Sequence, residues 1–594
     1  MEENTRKRIL DNLSDNQREV VLDYENNLYV TACPGSGKTR TLTRKIAYTS
    51  NLYPESLRNI IAITYTNRAA NEILERLEKL EINEGHIWVG TIHQFCLDFI
   101  LRKFGLNLPR TSRGIKIIDD YTTGKYLKLG CEELEMKYSY YDHPNLKLTT
   151  HGQLFEENEQ KIKLVKNYHK RLEENNEIDF DLILTLSLKI IEENPVVAKI
   201  ISNNIRSIFI DEFQDTNELQ YQILGLLAKA DNSIKFMFVG DSDQAIFTSL
   251  GGVVKDKVEI EEMTGLTFVE RNLDGCYRST QRIVDLYSQF QQVEYPITSL
   301  AKHKLDQGVM IYDKDIHKDN LAIRIAEIIR DSLAAGFTED DICIMAPNQY
   351  ILSPAAKELK ELLPDLSFRS QDVYPIKPDD LNVFYKISFL VFSPVGKRMR
   401  LRKKIANEIL RSLRDNFNVT LDSDFINIDF LDLLNTVKSD KTTGLEYLYE
   451  KISSIFNLLG VTEMEYFNLF AQMNNFFEKA TERIENPRLK LSKDIEEFRN
   501  IYKEKSGINI STIHKTKGEE YDVVIAFGFL EDTVPHFKSK DPIVESKKIL
   551  YVTISRAKKN IYLFSEQGRQ NGNYPPKLPT PILKNAYIPS LSIQ

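Results

Sequence analysis

Two stretches of this chain carry residue types that handle phosphate. In the first, Ala32-Cys33-Pro34-Gly35-Ser36-Gly37-Lys38-Thr39, small residues lead to a lysine and a hydroxyl. It follows the apolar run Leu28-Tyr29-Val30 and precedes the helix-like segment Arg40-Thr41-Leu42-Thr43-Arg44-Lys45-Ile46. Strand, glycine-rich loop and helix is the context in which a P-loop works. Its glycines let backbone N–H groups close on phosphate oxygens at a helix N-terminus whose dipole favours anions. Lys38 is then expected to reach the β and γ phosphates and Thr39 to hold Mg²⁺. Ala32 stands where the strict pattern begins with Gly. The second stretch, Ile208-Phe209-Ile210-Asp211-Glu212, ends an apolar strand in two adjacent acids. Asp211 is expected to hold Mg²⁺ through water, and Glu212 to orient or deprotonate the attacking water. A chance Gly/Ser turn, or an ordinary strand end, explains either stretch alone. The pair together predicts hydrolysis of a nucleoside triphosphate, without saying what the hydrolysis drives.

Such loops need rigid strands behind them. Apolar runs occur at Asn59-Ile60-Ile61-Ala62-Ile63-Thr64, Ile87-Trp88-Val89, Ser207-Ile208-Phe209-Ile210 and Lys235-Phe236-Met237-Phe238-Val239, each leading into a polar loop and then a helical period. This pattern predicts a parallel sheet with ligand loops at the strand C-termini. A later set, Gly308–Tyr312, Asp341–Met345, Ile508–Ser511 and Asp522–Ala526, predicts a second α/β domain. Two charge-rich helical stretches without strand signals, 97–200 and 385–495, read as insertions. The expected layout is a first α/β domain from 1–96 and 201–275, and a second from 276–384 and 496–594. The insertions 97–200 and 385–495 interrupt one domain each.

At 594 residues the chain exceeds a single core, and three or four domains are expected. A hydrophobic content of 42% and a charged content of 28% fit a soluble globular protein. No apolar run reaches membrane-spanning length, and Met1-Glu2-Glu3-Asn4 has no signal-peptide character. Cys33, Cys96, Cys131, Cys276 and Cys343 form no CxxC pair, which points to a reducing cytoplasm and away from a zinc or iron–sulfur site. A net charge of -8 neither advertises nor excludes a nucleic-acid partner, because the local field of a groove decides.

The remaining motifs fall in a recognisable order: Leu13-Ser14-Asp15-Asn16-Gln17-Arg18; Thr64-Tyr65-Thr66-Asn67-Arg68-Ala69-Ala70-Asn71-Glu72; Gly90-Thr91-Ile92-His93; Asp211-Glu212-Phe213-Gln214-Asp215; Val239-Gly240-Asp241-Ser242-Asp243-Gln244; Tyr277-Arg278-Ser279-Thr280; Thr512-Ile513-His514-Lys515-Thr516-Lys517-Gly518-Glu519-Glu520-Tyr521; and Tyr551-Val552-Thr553-Ile554-Ser555-Arg556-Ala557. With the P-loop, this set resembles the UvrD/PcrA/Rep type of superfamily 1 DNA helicases along almost the whole chain. The resemblance implies an α/β fold of two RecA-like P-loop domains, parallel sheets flanked by helices, each with a mainly helical insertion. It also implies ATP and Mg²⁺ in the cleft between the domains, and 3′-to-5′ movement on single-stranded DNA with a 3′ tail or a junction.

The resemblance assigns roles residue by residue. Gln17 corresponds to the amide that reads the adenine edge, and Tyr277 and Arg40 to the planes that sandwich the base. Gln244 corresponds to the γ-phosphate sensor that links the ATP site to the DNA groove. Arg278 and Arg556 resemble arginine fingers that stabilise charge on the transferring phosphoryl. Glu520 falls at the ribose contact, and Gly518 where backbone meets the γ phosphate. Thr64, Tyr65, His93 and His514 fall at DNA-contact positions, and Tyr65 offers a face for base stacking.

Departures from the family pattern follow Gln244. The chain reads Phe247-Thr248-Ser249-Leu250-Gly251, with Ser249 at the usual stacking aromatic and Leu250 at the usual basic position. Phe247 is the partial substitute, and one lost base stack is expected to weaken binding by about 1–3 kcal/mol. Tyr574, in Asn573-Tyr574-Pro575-Pro576, lies where the family carries a duplex-splitting aromatic pin. The basic run Lys397–Lys404 either touches duplex phosphates or is a solvated helix face, and the second insertion looks short for the family. These features admit an alternative: a DNA-sensing ATPase that controls a partner nuclease, as in compact UvrD-like proteins of anti-phage systems such as Gabija. No nuclease motif is recognisable in the chain itself.

Overall fold

The computed structural model describes residues 3–54, 56–82, 85–137, 143–247, 251–369, 374–379, 381–396, 398–486, 491–502, 507–537, 539–570, 575–584 and 586. Two parallel sheets organise it. Strands β1 (Asn27–Ala32), β2 (Asn59–Thr64), β3 (Ile87–Thr91), β4 (Ile205–Asp211), β5 (Lys235–Gly240) and β6 (Phe268–Leu273) run in the order β3-β2-β4-β5-β1-β6. Strands β7 (Met310–Asp313), β8 (Ile342–Ala346), β9 (Phe368–Arg369), β10 (Ile508–Thr512), β11 (Tyr521–Phe527) and β12 (Ala557–Phe564) run in the order β7-β12-β11-β8-β10-β9. Every strand pairing within these two sheets is parallel.

The strand compositions explain this arrangement. The central strands are apolar on both faces, as a sheet covered by helices on both sides requires. The edge strand β6 buries only its end residues Phe268 and Leu273, with Glu270 exposed and Arg271 half-buried, so its mixed sequence concealed it from an apolar-run reading. β12 begins Ala557-Lys558-Lys559-Asn560, which hid it in the same way.

Register then sets the site. Val239 pairs with Val30 on one side and with Asp211 on the other, so β5 is the single strand between the P-loop and the acid pair. Three loops therefore leave one C-terminal edge together, the usual place for ligands in such sheets.

Between β3 and β4 the chain is mainly helical, with helices Asp120–Glu133, Glu159–Glu174, Phe180–Glu193 and Pro195–Asn203. These share a core with one face of the first sheet. Between β9 and β10 the described residues form six helices, Val383–Phe392, Met399–Phe417, Asn427–Thr436, Gly444–Leu458, Phe467–Glu485 and Ile495–Tyr502. They form a core of their own around Phe384, Phe392, Phe456 and Tyr502. No helix among the described residues is long and apolar enough to cross a membrane.

The basic run at the start of this second helical unit is partly tied into the protein. Arg402 is buried and donates to the Leu390 carbonyl and the Ser393 hydroxyl. Arg398 pairs with Glu75 at 2.9 Å, Arg400 donates to the Ile82 carbonyl, and Lys404 donates to the Val89 carbonyl. Those side chains dock the helix on the first sheet domain. Residue 397 lies outside the described residues.

Candidate functional site

The P-loop is held open by its glycines. Gly35 and Gly37 have φ of +75° and +81°, a left-handed backbone that only glycine adopts without strain. A Cβ on Gly35 would lie 2.6 Å from Arg278 Cβ, so the loop also packs closely on the other wall. Tyr277 N–H donates to the Gly35 carbonyl at 2.8 Å, clamping the two walls together. The helix Lys38–Leu52 starts on Gly37, and its first N–H groups have no partner within the helix. Ser36 Oγ is buried without a hydrogen-bond partner. The cradle therefore presents donors aimed at an anion, which suits a polyphosphate.

Asp211 ends β4, and Glu212 follows with φ +53°, a strained value for a non-glycine. Glu212 Oε1 lies 3.8 Å from Lys38 Nζ, and its other oxygen accepts from Gln214 Nε2. Burial, and then the neighbouring Glu212, push the Asp211 carboxyl up to about 8. Burial alone would raise Glu212 too, but Lys38 and Lys517 outweigh it and keep this carboxyl below its ordinary range. The two adjacent carboxyls thus carry more negative charge than the lysines of the pocket offset. Asp211 and the Thr39 hydroxyl on the first turn of the P-loop helix are hard oxygens suited to Mg²⁺, whose other ligands would come from phosphate and water.

β5 delivers the coupling residues. Gln244 Nε2 donates to Asp241 Oδ2 at 2.7 Å, and its Oε1 accepts from Arg556 Nη2 at 2.9 Å. Arg556 is 1% exposed and also donates to the carbonyls of Val552 and Glu519. Burial, and then Arg278, lower its pKa to about 9, so it stays a cation at neutral pH. Arg278 donates to Glu520 Oε2 at 2.8 Å and to the Ser555 carbonyl at 2.9 Å. Burial would raise the Glu520 carboxyl, but Arg278 and Lys558 hold it down at about 2. Gly518 has φ +85° with open space where a Cβ would stand.

Two expected base-reading groups are occupied within the protein. Gln17 Nε2 donates to the Ser36 carbonyl at 2.8 Å and its Oε1 accepts from Ser14 N–H, so it braces the P-loop. Arg40 donates to the Asn12 carbonyl at 2.6 Å. Tyr277 remains 39% exposed.

On the DNA-contact side, Tyr65 stacks on Phe247 with ring centroids 5.0 Å apart, and Phe247 meets His514 at 5.8 Å. His93 is stacked 3.7 Å from Phe180 of the first insertion. Burial takes its imidazole down to about 3 and lowers that of His514, so both are neutral. Thr64, Tyr65 and His93 line a cleft of about 810 Å³ whose far wall carries Arg400, Lys403 and Lys404. Ser249, Leu250 and Tyr574 lie outside the described residues.

Sequence reasoning passed over Lys517. Its Nζ lies 2.6 and 2.8 Å from the Asp215 oxygens and 2.7 Å from the Gln244 carbonyl, joining the two walls beside Glu212. Burial raises Asp215 to about 6 although Lys517 opposes this. The signal was present in the sequence as a lysine directly before Gly518.

Comparison with known proteins gives a consistent picture. Residues 13–262 match the family model described as UvrD/REP helicase N-terminal domain, and 397–568 match the UvrD-like helicase C-terminal domain. A protein named ATP-dependent DNA helicase PcrA from Staphylococcus aureus (strain Mu50 / ATCC 700699) is 25% identical over 653 aligned positions, covering 97% of this chain and 87% of its own length. The protein of that name from Staphylococcus epidermidis (strain ATCC 12228 / FDA PCI 1200) is 25% identical over 635 positions, covering 96% and 86%.

Proposed function

The chain belongs to the UvrD/REP helicase family and is an ATP-dependent DNA helicase, a hydrolase; from that premise we propose that it moves 3′-to-5′ along single-stranded DNA by hydrolysing ATP between its two sheet domains. The observation that carries this reading is the division of the site. The P-loop and both acids stand on the first sheet, while Arg278 and Arg556 come with the second, and Arg556 already bonds across the seam to Gln244.

In this mechanism Lys38 and the P-loop amides bind the phosphates, and Thr39 and Asp211 hold Mg²⁺, which neutralises phosphate charge when bound. Glu212 takes a proton from the attacking water. Arg556, kept charged and fixed by Gln244, stabilises the charge that develops on the phosphoryl group, and Arg278 leaves Glu520 to join it. Gln244 is bonded to Arg556, and the Lys517 contact to its carbonyl continues to Phe247, whose ring lies 5.3 Å from Lys517 Nζ. Loss of the γ phosphate is therefore relayed to the ring cluster of Tyr65, Phe247 and His514. Opening and closing of the cleft then becomes a step along the strand. Free buried cysteines fit a reducing cytoplasm. The alternative of a nuclease-controlling subunit has no observation of its own in its favour.

Strand displacement tests the polarity. Duplexes with a 3′ single-stranded tail should be unwound with ATP, and those with only a 5′ tail should not. Unwinding confined to 5′-tailed duplexes would contradict the reading.

A further inference from the structure

The two sheet domains are tied together a second time, away from the phosphates. Arg68, on the first turn of the helix Asn67–Lys79, forms an ion pair and hydrogen bond with Glu519 in the loop before β11. Neither residue takes part in the ATP chemistry above through its side chain. The pair is lopsided: the Arg68 side chain is 64% exposed, whereas that of Glu519 is 8% exposed. Glu519 does not depend on this arginine, because its carboxylate also accepts from the Tyr521 hydroxyl and from Asn509 Nδ2. Among the described residues the other acid acting on Arg68 is Glu72 one turn below, which is itself held by Arg76 at 2.6 Å.

The position matters as much as the pairing. Arg68 stands three residues beyond Tyr65 in sequence and Glu519 five beyond His514, and the pair, like the Phe247–His514 ring contact, joins the first sheet domain to the second. Rings that stack on bases need neighbouring cations for the backbone between those bases. A guanidinium is the side chain whose planar fork fits a carboxylate and a phosphodiester equally well.

We propose that Arg68 binds a phosphodiester of single-stranded DNA, and that in the free protein the Glu519 carboxylate of the other domain occupies its place. DNA entering the seam displaces Glu519 from Arg68 and releases one tie between the domains, so that strand binding itself loosens the seam. Glu519 is then a competitor for Arg68, and its removal strengthens DNA binding. A plain structural clamp predicts the reverse. The inference rests on the reading that the chain binds single-stranded DNA along this seam.

The test is fluorescence anisotropy of a labelled oligothymidylate with the full chain, from 50 to 300 mM salt. Arg68→Ala should weaken binding several-fold and flatten the salt dependence by about 0.7 in the log–log slope, the loss of one phosphate contact. Arg68→Lys should keep most of that slope. Glu519→Gln, which preserves the bonds to Tyr521 and Asn509, should tighten binding several-fold, and should not do so when combined with Arg68→Ala. An unchanged slope in Arg68→Ala, or weaker binding in Glu519→Gln with an unaltered melting temperature, overturns the proposal while leaving DNA binding intact. A wild-type chain that binds no oligonucleotide overturns both readings.

Discussion

Arg556 Nη2 lies 2.9 Å from Gln244 Oε1, joining side chains 312 positions apart from opposite walls of one cleft. The guanidinium is thereby fixed before any phosphate arrives, which is what electrostatic preorganisation requires. Arg556→Ala should lower ATP turnover by roughly 10³-fold or more, with ATP affinity nearly unchanged. Steady-state hydrolysis and equilibrium nucleotide binding separate the two effects. Loss of binding with turnover of bound ATP preserved would contradict the assignment.

Lys38 and Lys517 hold the Glu212 carboxyl below its ordinary range, while burial and the neighbouring Glu212 raise that of Asp211. Glu212→Gln retains the shape and the Gln214 contact but cannot take a proton from water. The variant should bind ATP and fail to turn it over, trapping unhydrolysed nucleotide after rapid gel filtration. Full activity would remove Glu212 from its role.

The left-handed backbone at Gly35 and its 2.6 Å approach to Arg278 leave no room for a methyl group. A left-handed residue with a Cβ costs about 1–2 kcal/mol before any clash. Gly35→Ala should therefore weaken ATP binding at least about ten-fold, read by calorimetric titration. An unaffected affinity would mean that the loop conformation is not the binding one.

The Glu520 carboxyl, ordinarily at 4.5, is held down at about 2 by Arg278 and Lys558 against the opposing effect of burial. A depressed carboxylate contributes stability above its unfolded pKa and loses it as pH falls through the folded value. Wild type should therefore melt above Glu520→Gln at pH 7, and the gap should shrink as pH is lowered from about 4.5 towards 2. A gap independent of pH would place the effect in packing instead of charge.

Much of this was legible locally. The P-loop and the acid pair announce themselves because strand, loop and helix N-terminus are continuous in sequence, and the two parallel sheets follow from apolar runs such as Asn59–Thr64 and Asp522–Ala526, which fall on strands. Edge strand Phe268–Leu273 escaped because an edge position tolerates Glu270 and Arg271. Residue types foretold a basic run at 398–404, but not that Arg402 points inward while Arg398 and Lys404 reach the first sheet domain. Which way a helix faces is set by its tertiary partners. The internal commitments of Gln17 and Arg40, and the pairing of Arg68 with Glu519, join segments whose proximity only the assembled fold determines.

The central claim is that hydrolysis in the inter-domain cleft is coupled to DNA on the same seam. Steady-state ATP hydrolysis by the purified chain, with and without single-stranded DNA and with Glu212→Gln as the blank, tests it most directly. The account predicts strong stimulation by DNA and a flat blank. Hydrolysis above that blank but indifferent to DNA would contradict it, because the Gln244–Arg556 bond would then join two walls without carrying a signal between them.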